Sequence, residues 1–257
     1  MSIDVIIGKH SIYAAIKNPE RSGLKLFATR EGQEAFHSEF RDIQSFKSKY
    51  ELVVLDKNAF EREWTSALQD NEHQYVRCPS DIFLISPERI AYDVGWIFAE
   101  LKQGRKLKIL CLDSLTDVHN GAAIIRTAAF FGMDAIVTSS KGIFSVSPHF
   151  YRISSGGLEY TKLIRPSSLP AFIQKLQESN VHCLGLSDHA SQKGHPPEKN
   201  SSICLVIGAE DKGISNAVLR ILQHTVCLDG PGVLKTLNAS VAAALAMERF
   251  CSGRSGQ

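Results

Sequence analysis

Five short runs in the second half of this chain are mostly apolar and do not alternate with polar residues: residues 107–112, 135–138, 181–186, 203–207 and 225–228. A strand with one wet face alternates apolar and polar residues, whereas a strand covered on both faces has no reason to alternate. Helical patterns at about 120–131, 168–179, 213–223 and 239–250 lie among these runs. Buried strands interleaved with helices define an α/β fold: a parallel sheet with helices on both faces.

The first hundred residues carry a different pattern of shorter elements. Strands are expected at 4–7, 24–28 and 51–55, and helices at 10–17, 33–50 and 57–68. A further strand is expected at 74–78, which 82–85 extends. We read residues 1–85 as a small α/β domain, 86–106 as a linker with a connector helix, and 107–257 as the main domain. In the small domain Gly8-Lys9-His10 opens a helix after a strand, and Arg77 lies in a late strand. These positions suit phosphate contacts, and two solvated basic positions explain them equally well.

Charge separates the halves. Residues 1–100 carry 12 Lys/Arg against 16 Asp/Glu, and residues 101–257 carry 17 against 11. A nucleic-acid partner would lay its phosphates against the second half, although a solvated surface also fits so modest an asymmetry. The longest apolar runs stop short of the roughly 18–20 residues that span a bilayer. The start, Met-Ser-Ile-Asp-Val-Ile-Ile-Gly-Lys, has an acid where a signal peptide places basic residues. A cytoplasmic protein without membrane attachment is expected. Cys111, Cys183, Cys204 and Cys227 sit in apolar runs as structural thiols, and neither a C-x-x-C nor a zinc-spaced Cys/His cluster occurs, so no metal is expected.

Polar residues gather where the strands end. After the first run come Asp113, Asp117, His119, Asn120 and, two turns into a helix, Arg126. After the third come Ser187-Asp188-His189, and after the fourth Gly208-Ala-Glu210-Asp-Lys-Gly213. The fifth leads through a Gly/Pro-rich loop to Thr236 and Asn238. All follow strand carboxyl ends, the edge where open α/β sheets bind ligands. Asn120 is placed for a helix N-cap. Arg126 stands in an otherwise apolar or small segment, so it either faces an opening or pairs structurally with Asp113 or Glu210. Gly208 would let backbone approach a ligand, with Glu210 capping the next helix. The pattern is neither a Walker loop nor a three-glycine dinucleotide fingerprint. A nucleotide-binding α/β protein remains an alternative on these residues alone.

In order, Asn120-x5-Arg126, Gly208-x-Glu210-x-x-Gly213 and Leu237-Asn238-x-Ser240 resemble the three motifs of the SpoU (TrmH/RlmB-like) branch of SPOUT RNA methyltransferases. The resemblance covers about 107–250, and Ser147-Pro148 with Ser154-Ser155-Gly156-Gly157 also match. More weakly, Ile7-Gly8-Lys9-His10 and His73-Gln74 resemble the family's small RNA-binding N-terminal domain.

The resemblance implies a C-terminal trefoil knot, a homodimer with its site near the subunit interface, and S-adenosyl-L-methionine as methyl donor. It implies a ribose 2′-hydroxyl of structured RNA as acceptor, with a 23S-type ribosomal guanosine ahead of tRNA; a catalytically silent RNA-binding paralogue is the other alternative. By the same resemblance Arg126, Asn120, Glu210, Asn238 and Thr236 are catalytic candidates. Gly208, Gly213, Leu186, Leu228 and Leu237 are cofactor contacts, and Lys9, His10 and Arg77 meet RNA. Arg stays protonated at ordinary pH, so Arg126 is read as stabilising the alkoxide and gripping an adjacent phosphate rather than as a base. The sequence departs from the family pattern at Val118, Ala122, Leu228-Asp229-Gly230 and Thr236. The third departure falls where the family lines its cofactor pocket.

Overall fold

The computed structural model describes residues 3–69, 77–139, 144–187, 190, 201–228, 230–233 and 236–252. Contacts divide the chain into two compact units, residues 1–90 with 145–159, and residues 91–144 with 160–257. None of the described helices is long and apolar enough to cross a membrane.

The first unit is built on four strands, β1 (Ile3–Ile7), β2 (Leu24–Ala28), β3 (Tyr50–Val54) and β4 (Ile82–Pro87). Their order is β1-β4-β2-β3. β4 runs antiparallel to β1 and β2, while β2 and β3 are parallel. Alternation assigns the faces: Val5, Ile7, Phe27 and Phe83 pack against Phe60 and Trp64 of helix α3 (Lys57–Gln69). Helices α1 (Lys9–Lys17) and α2 (Arg30–Glu39) pack on the same sheet.

Two expectations change here, and one falls largely outside the described residues. The helix expected over 33–50 stops at Glu39, and a tighter 3-10 run continues over Arg41–Lys49. Phe40 between them leaves helical geometry (φ −119°, ψ 76°) and stacks on Tyr13, with ring centroids 4.3 Å apart. Of the strand expected at 74–78, residues 74–76 lie outside the described residues, as do His73 and Gln74 of the family resemblance. Arg77 is exposed and Cys78 buried, both in irregular chain before β4, so Arg77 is not in a strand.

The segment 145–159 departs from its expected place in the second half. Helix α4 (Pro148–Ser154) packs on β1 and α1. Ser11 Oγ donates to the Tyr151 carbonyl at 2.5 Å and accepts from the Gly156 N–H at 2.9 Å. Gly156 has φ +86°, and a Cβ there would lie 2.7 Å from that of Ala14, so glycine answers both the conformation and the space. Arg21, 5% exposed, reaches Asp4 at 2.6 Å, Glu159 at 2.8 Å and the Tyr151 hydroxyl at 3.2 Å. No local pattern foretells a pairing between residues 138 positions apart.

Burial pushes the Glu159 carboxyl up, but hydrogen bonds and charge from Arg21 outweigh it, and the net value is lowered. A carboxylate lowered by folding stabilises the native state above its ordinary value of about 4.3, and that contribution disappears as pH falls through the lower folded value. Removing one partner of a buried pair costs roughly 3–5 kcal/mol. Glu159→Gln should therefore melt well below the parent at pH 7, and its melting temperature should respond less to acid below pH 4. Circular dichroism melts at both pH values check this, and parallel pH profiles would contradict it.

Among the described residues the second unit holds six strands: β5 (Lys108–Asp113), β6 (Ala135–Thr138), β7 (Lys162–Ile164), β8 (His182–Leu186), β9 (Ile203–Gly208) and β10 (His224–Val226). All are parallel, in the order β10-β8-β9-β5-β6-β7. Three-residue β7 was not foreseen, being too short to show a pattern. One sheet face carries Ile109, Cys111, Val137, Cys204 and Val206, and it packs against three helices. These are α5 (Val94–Lys102), α6 (Leu169–Glu178) and the short α7 (Asn216–Leu219). Leu110, Leu112, Leu205 and Ile207, on the opposite face, are also buried. There α8 (Ala239–Cys251) packs on β9, and α9, the earlier helix Val118–Phe130, packs on α8. Burial on both faces accounts for runs that are mostly apolar and do not alternate.

The expected connector helix is confined to α5, which begins only after Asp93 accepts the Trp96 N–H. Ser86 and Pro87 belong instead to the β4 ladder. The helix expected at 213–223 contracts to α7.

Candidate active site

The carboxyl ends of β8, β9 and β10 open onto one cleft of about 270 Å³, near the lower end of the roughly 300–1,000 Å³ usual for small-molecule sites. Leu186, Ile207, Val226, Leu228 and Leu237 give it apolar walls, while Ser187, Glu210, Lys212 and Thr236 supply polar groups. Seven of the catalytic and cofactor candidates expected from sequence meet there: Leu186, Gly208, Glu210, Gly213, Leu228, Thr236 and Leu237. Asp188, His189 and Asp229 lie outside the described residues.

The middle motif forms a closed loop. Ala209 and Gly213 exchange backbone hydrogen bonds of 3.1 and 2.8 Å, leaving residues 210–212 at the tip. A Cβ on Gly208 would lie 2.0 Å from the Gly213 carbonyl carbon and 2.2 Å from the Ile214 nitrogen. The glycine thus serves the close approach of the chain's own backbone, where the sequence suggested approach to a ligand. Glu210 does not cap the following helix; that N-cap is Ser215.

Asn120 stands outside the cleft lining, but its side-chain amide donates to the Glu210 carboxylate and so joins the first motif to the second. The N-cap expected of Asn120 is supplied by Asp117, whose carboxylate accepts the Asn120 N–H at 2.7 Å. Glu210 is exposed, yet partial desolvation and the charges of Asp117 and Asp211 raise its carboxyl above the ordinary value.

Two candidates are placed differently from the rest. Asn238 is the N-cap of α8: its Oδ1 accepts the Ser240 N–H at 2.9 Å and the Ser240 hydroxyl at 2.6 Å. It does not line the cleft. Arg126 is exposed on α9 between buried Ile125 and half-buried Thr127, and among the described residues it has no ion-pair partner. Its apolar neighbours in sequence, Ala122, Ile124, Ile125 and Ala128, are the buried side of the helix, while Phe130, one turn on, is 84% exposed. The alternative pairing with Asp113 does not form, because the Asp113 carboxylate accepts the Ser215 N–H.

Lys9 forms an ion pair with Glu39, and His10 stands 3.8 Å from the same carboxylate while meeting Phe40 edge-on. Arg77 is exposed. Of the thiols read as structural, Cys111, Cys183 and Cys204 are buried; Cys227 is half-buried and lines the cleft just past β10. Ser187, one of the polar residues expected at the strand ends, also lines the cleft, as does Ile214, whose apolar side chain announces no role in the sequence.

A parallel six-stranded α/β sheet with a ligand cleft at its carboxyl edge defines the class, and comparison supplies the family. The model of the SpoU rRNA methylase family matches residues 108–248. The chain belongs to this family of RNA methyltransferases. A Staphylococcus epidermidis protein named as a TrmH-family tRNA/rRNA methyltransferase is 25% identical over 243 residues, covering 95% of this chain and 93% of its own. The 23S rRNA (guanosine-2′-O-)-methyltransferase RlmB of Acinetobacter baylyi is 30% identical over 159 residues, 61% of this chain and 64% of its own. Among solved structures, the SpoU methyltransferase AviRb of Streptomyces viridochromogenes, in complex with AdoMet, superposes with a TM-score of 0.73. It has 20% identity and covers 98% of this chain and 90% of that one.

S-adenosyl-L-methionine fits the residues present. The apolar walls suit an adenosine moiety, and the Glu210 and Asp211 carboxylates on the loop suit a sulfonium cation.

Proposed function

We propose that this protein, acting in the cytoplasm as a homodimer, methylates a ribose 2′-hydroxyl of ribosomal RNA with S-adenosyl-L-methionine as donor. The carrying observation is the convergence of Leu186, the Gly208–Gly213 loop, Leu228 and Thr236-Leu237 on one cleft, with Asn120 tied to Glu210 at its edge. The 30% identity to the Acinetobacter 23S rRNA enzyme favours a ribosomal guanosine over tRNA. Against a silent paralogue stands Leu228, the described residue at the start of the departing loop, which contributes an apolar side chain to the cleft wall.

The cofactor supplies an electrophilic methyl group carried on sulfur. The protein's part is to hold the acceptor oxygen in place and to stabilise the charge it develops as its proton leaves. The guanidinium of Arg126 suits that charge and an adjacent phosphate, since its fork matches oxyanions. Glu210, oriented by Asn120, balances the positive donor. Thr236 offers a hydroxyl at the cleft, and Asn238 acts by holding the start of α8. The reading includes a C-terminal trefoil knot bringing the last motif beside the second, and a first unit that holds RNA through Lys9, His10 and Arg77. Lys9 meets RNA in this reading only once phosphate displaces Glu39, its ion-pair partner.

The dimer reading is supported by Val241 and Leu245, one turn apart on α8 and each about half exposed, with Leu237 equally exposed just before the helix and Phe130 exposed on α9. Purified protein should transfer labelled methyl groups to unmodified rRNA, and mapping 2′-O-methyl positions with and without the gene should show one ribosomal ribose losing its mark. A lost mark on tRNA alone would move the substrate, and no transfer to any RNA would remove the activity.

A further inference from the structure

Asp113 ends β5 directly opposite Gly208 of β9, and it is 4% exposed. A buried carboxylate is costly unless its oxygens are used, and both are. One accepts the Ser215 N–H at 2.8 Å, and the other accepts the Ser114 hydroxyl at 3.3 Å. Between Gly208 and Ser215 runs the loop that carries Glu210 and closes on the cleft. The ladder with β5 holds its outgoing end at Gly208, and Asp113 holds its return at Ser215. Ser215 stands at the N-cap of α7 without making a cap through its own side chain. The fixed point there is therefore the carboxylate from the neighbouring strand.

We propose that Asp113 is a positioning residue for cofactor binding: by holding the Ser215 N–H, it fixes the return limb of the Gly208–Gly213 loop against the cleft. The inference rests on the reading of that cleft as the S-adenosyl-L-methionine site. Asp113 lines no part of the cleft and touches no reacting group. Its effect reaches the cofactor through Gly213 and Ile214, which do line it.

The test uses the full chain, with S-adenosyl-L-methionine affinity measured by calorimetry and Ser215 amide exchange measured without cofactor. Asp113→Ala orphans the donor. Ser215→Pro deletes it, at a residue whose φ of −60° already suits proline. Asp113→Asn keeps an acceptor oxygen in place. An orphaned buried donor corresponds to roughly 5- to 150-fold in an equilibrium. Asp113→Ala and Ser215→Pro should each weaken cofactor binding about tenfold or more, and Asp113→Ala should speed Ser215 exchange. Asp113→Asn should return both measures to within about threefold of the parent, and kcat at saturating cofactor should hold. If Asp113→Ala does not fold, Ser215→Pro and Asp113→Asn still carry the comparison. Parental affinity in Ser215→Pro, or an Asn variant as weak as the deletions, overturns the proposal. Leu228→Arg separates the two readings. If it leaves binding intact, the cleft is not the cofactor site and the inference falls with it; if it abolishes binding while the Asp113 and Ser215 variants bind as the parent does, the anchor alone is wrong.

Discussion

The Arg126→Ala enzyme is expected to fold as the parent does and to lose methyl transfer by roughly 10²- to 10³-fold, the usual cost of removing one preorganised donor from developing negative charge. The two halves of that expectation have separate grounds. Arg126 is exposed on α9 and makes no ion pair among the described residues. Its removal should shift stability by no more than about 0.5 kcal/mol, as surface changes usually do. With no ion pair among the described residues and exposed Phe130 on the same face, the monomer's own packing gives this cation nothing to do. Arg126→Lys should recover only part of the rate, because an ammonium keeps the charge but not the planar fork. Initial rates at saturating cofactor, beside thermal melts, provide the check. An alanine variant as fast as the parent would remove Arg126 from the mechanism, and one that unfolds would make it structural.

Gly208→Ala should cost the protein its cofactor affinity, by roughly 5- to 150-fold, if overpacking takes its usual 1–3 kcal/mol from the bound geometry. The added methyl would stand about 2 Å from backbone atoms of Gly213 and Ile214, and backbone cannot swing aside as a side-chain tip can. The loop must open, carrying Glu210 away from Asn120 and loosening the Ala209–Gly213 pair. Gly213 provides the contrast: it has φ +62°, and a Cβ there would meet nothing within 4 Å. Gly213→Asn, a residue that tolerates the left-handed region, should therefore bind cofactor more nearly as the parent does. Calorimetry on both variants tests the pair, and equal affinity in parent and Gly208→Ala would show that the loop's closure is not needed.

The expectations that held and those that changed differ in physical kind. The parallel sheet was readable because burial on both faces leaves its mark on nearly every residue of a strand, as in 107–112 and 203–207. β7, with three residues, leaves no such mark. The convergence of strand-end loops followed from the sheet, since parallel strands share one carboxyl edge. Within those loops the residue types were informative but their partners were not. Asn238 reads as a catalytic amide and is found holding a helix start through Ser240. Asn120 reads as a cap and is found donating to Glu210, ninety positions away.

What the sequence determined by itself is the two-face-buried α/β sheet, the edge on which its chemistry gathers, and the ordered motifs through which the chain resembles the SpoU methyltransferases. All of these are written in local composition and spacing. Only the tertiary structure decided that residues 145–159 pack with the first unit through Arg21 and Glu159, that Gly208 yields space to its own chain, that Arg126 faces outward, and that Asp113 holds Ser215. Each of those depends on groups brought together by folding, and a contact between distant residues has no signature in either residue's neighbourhood.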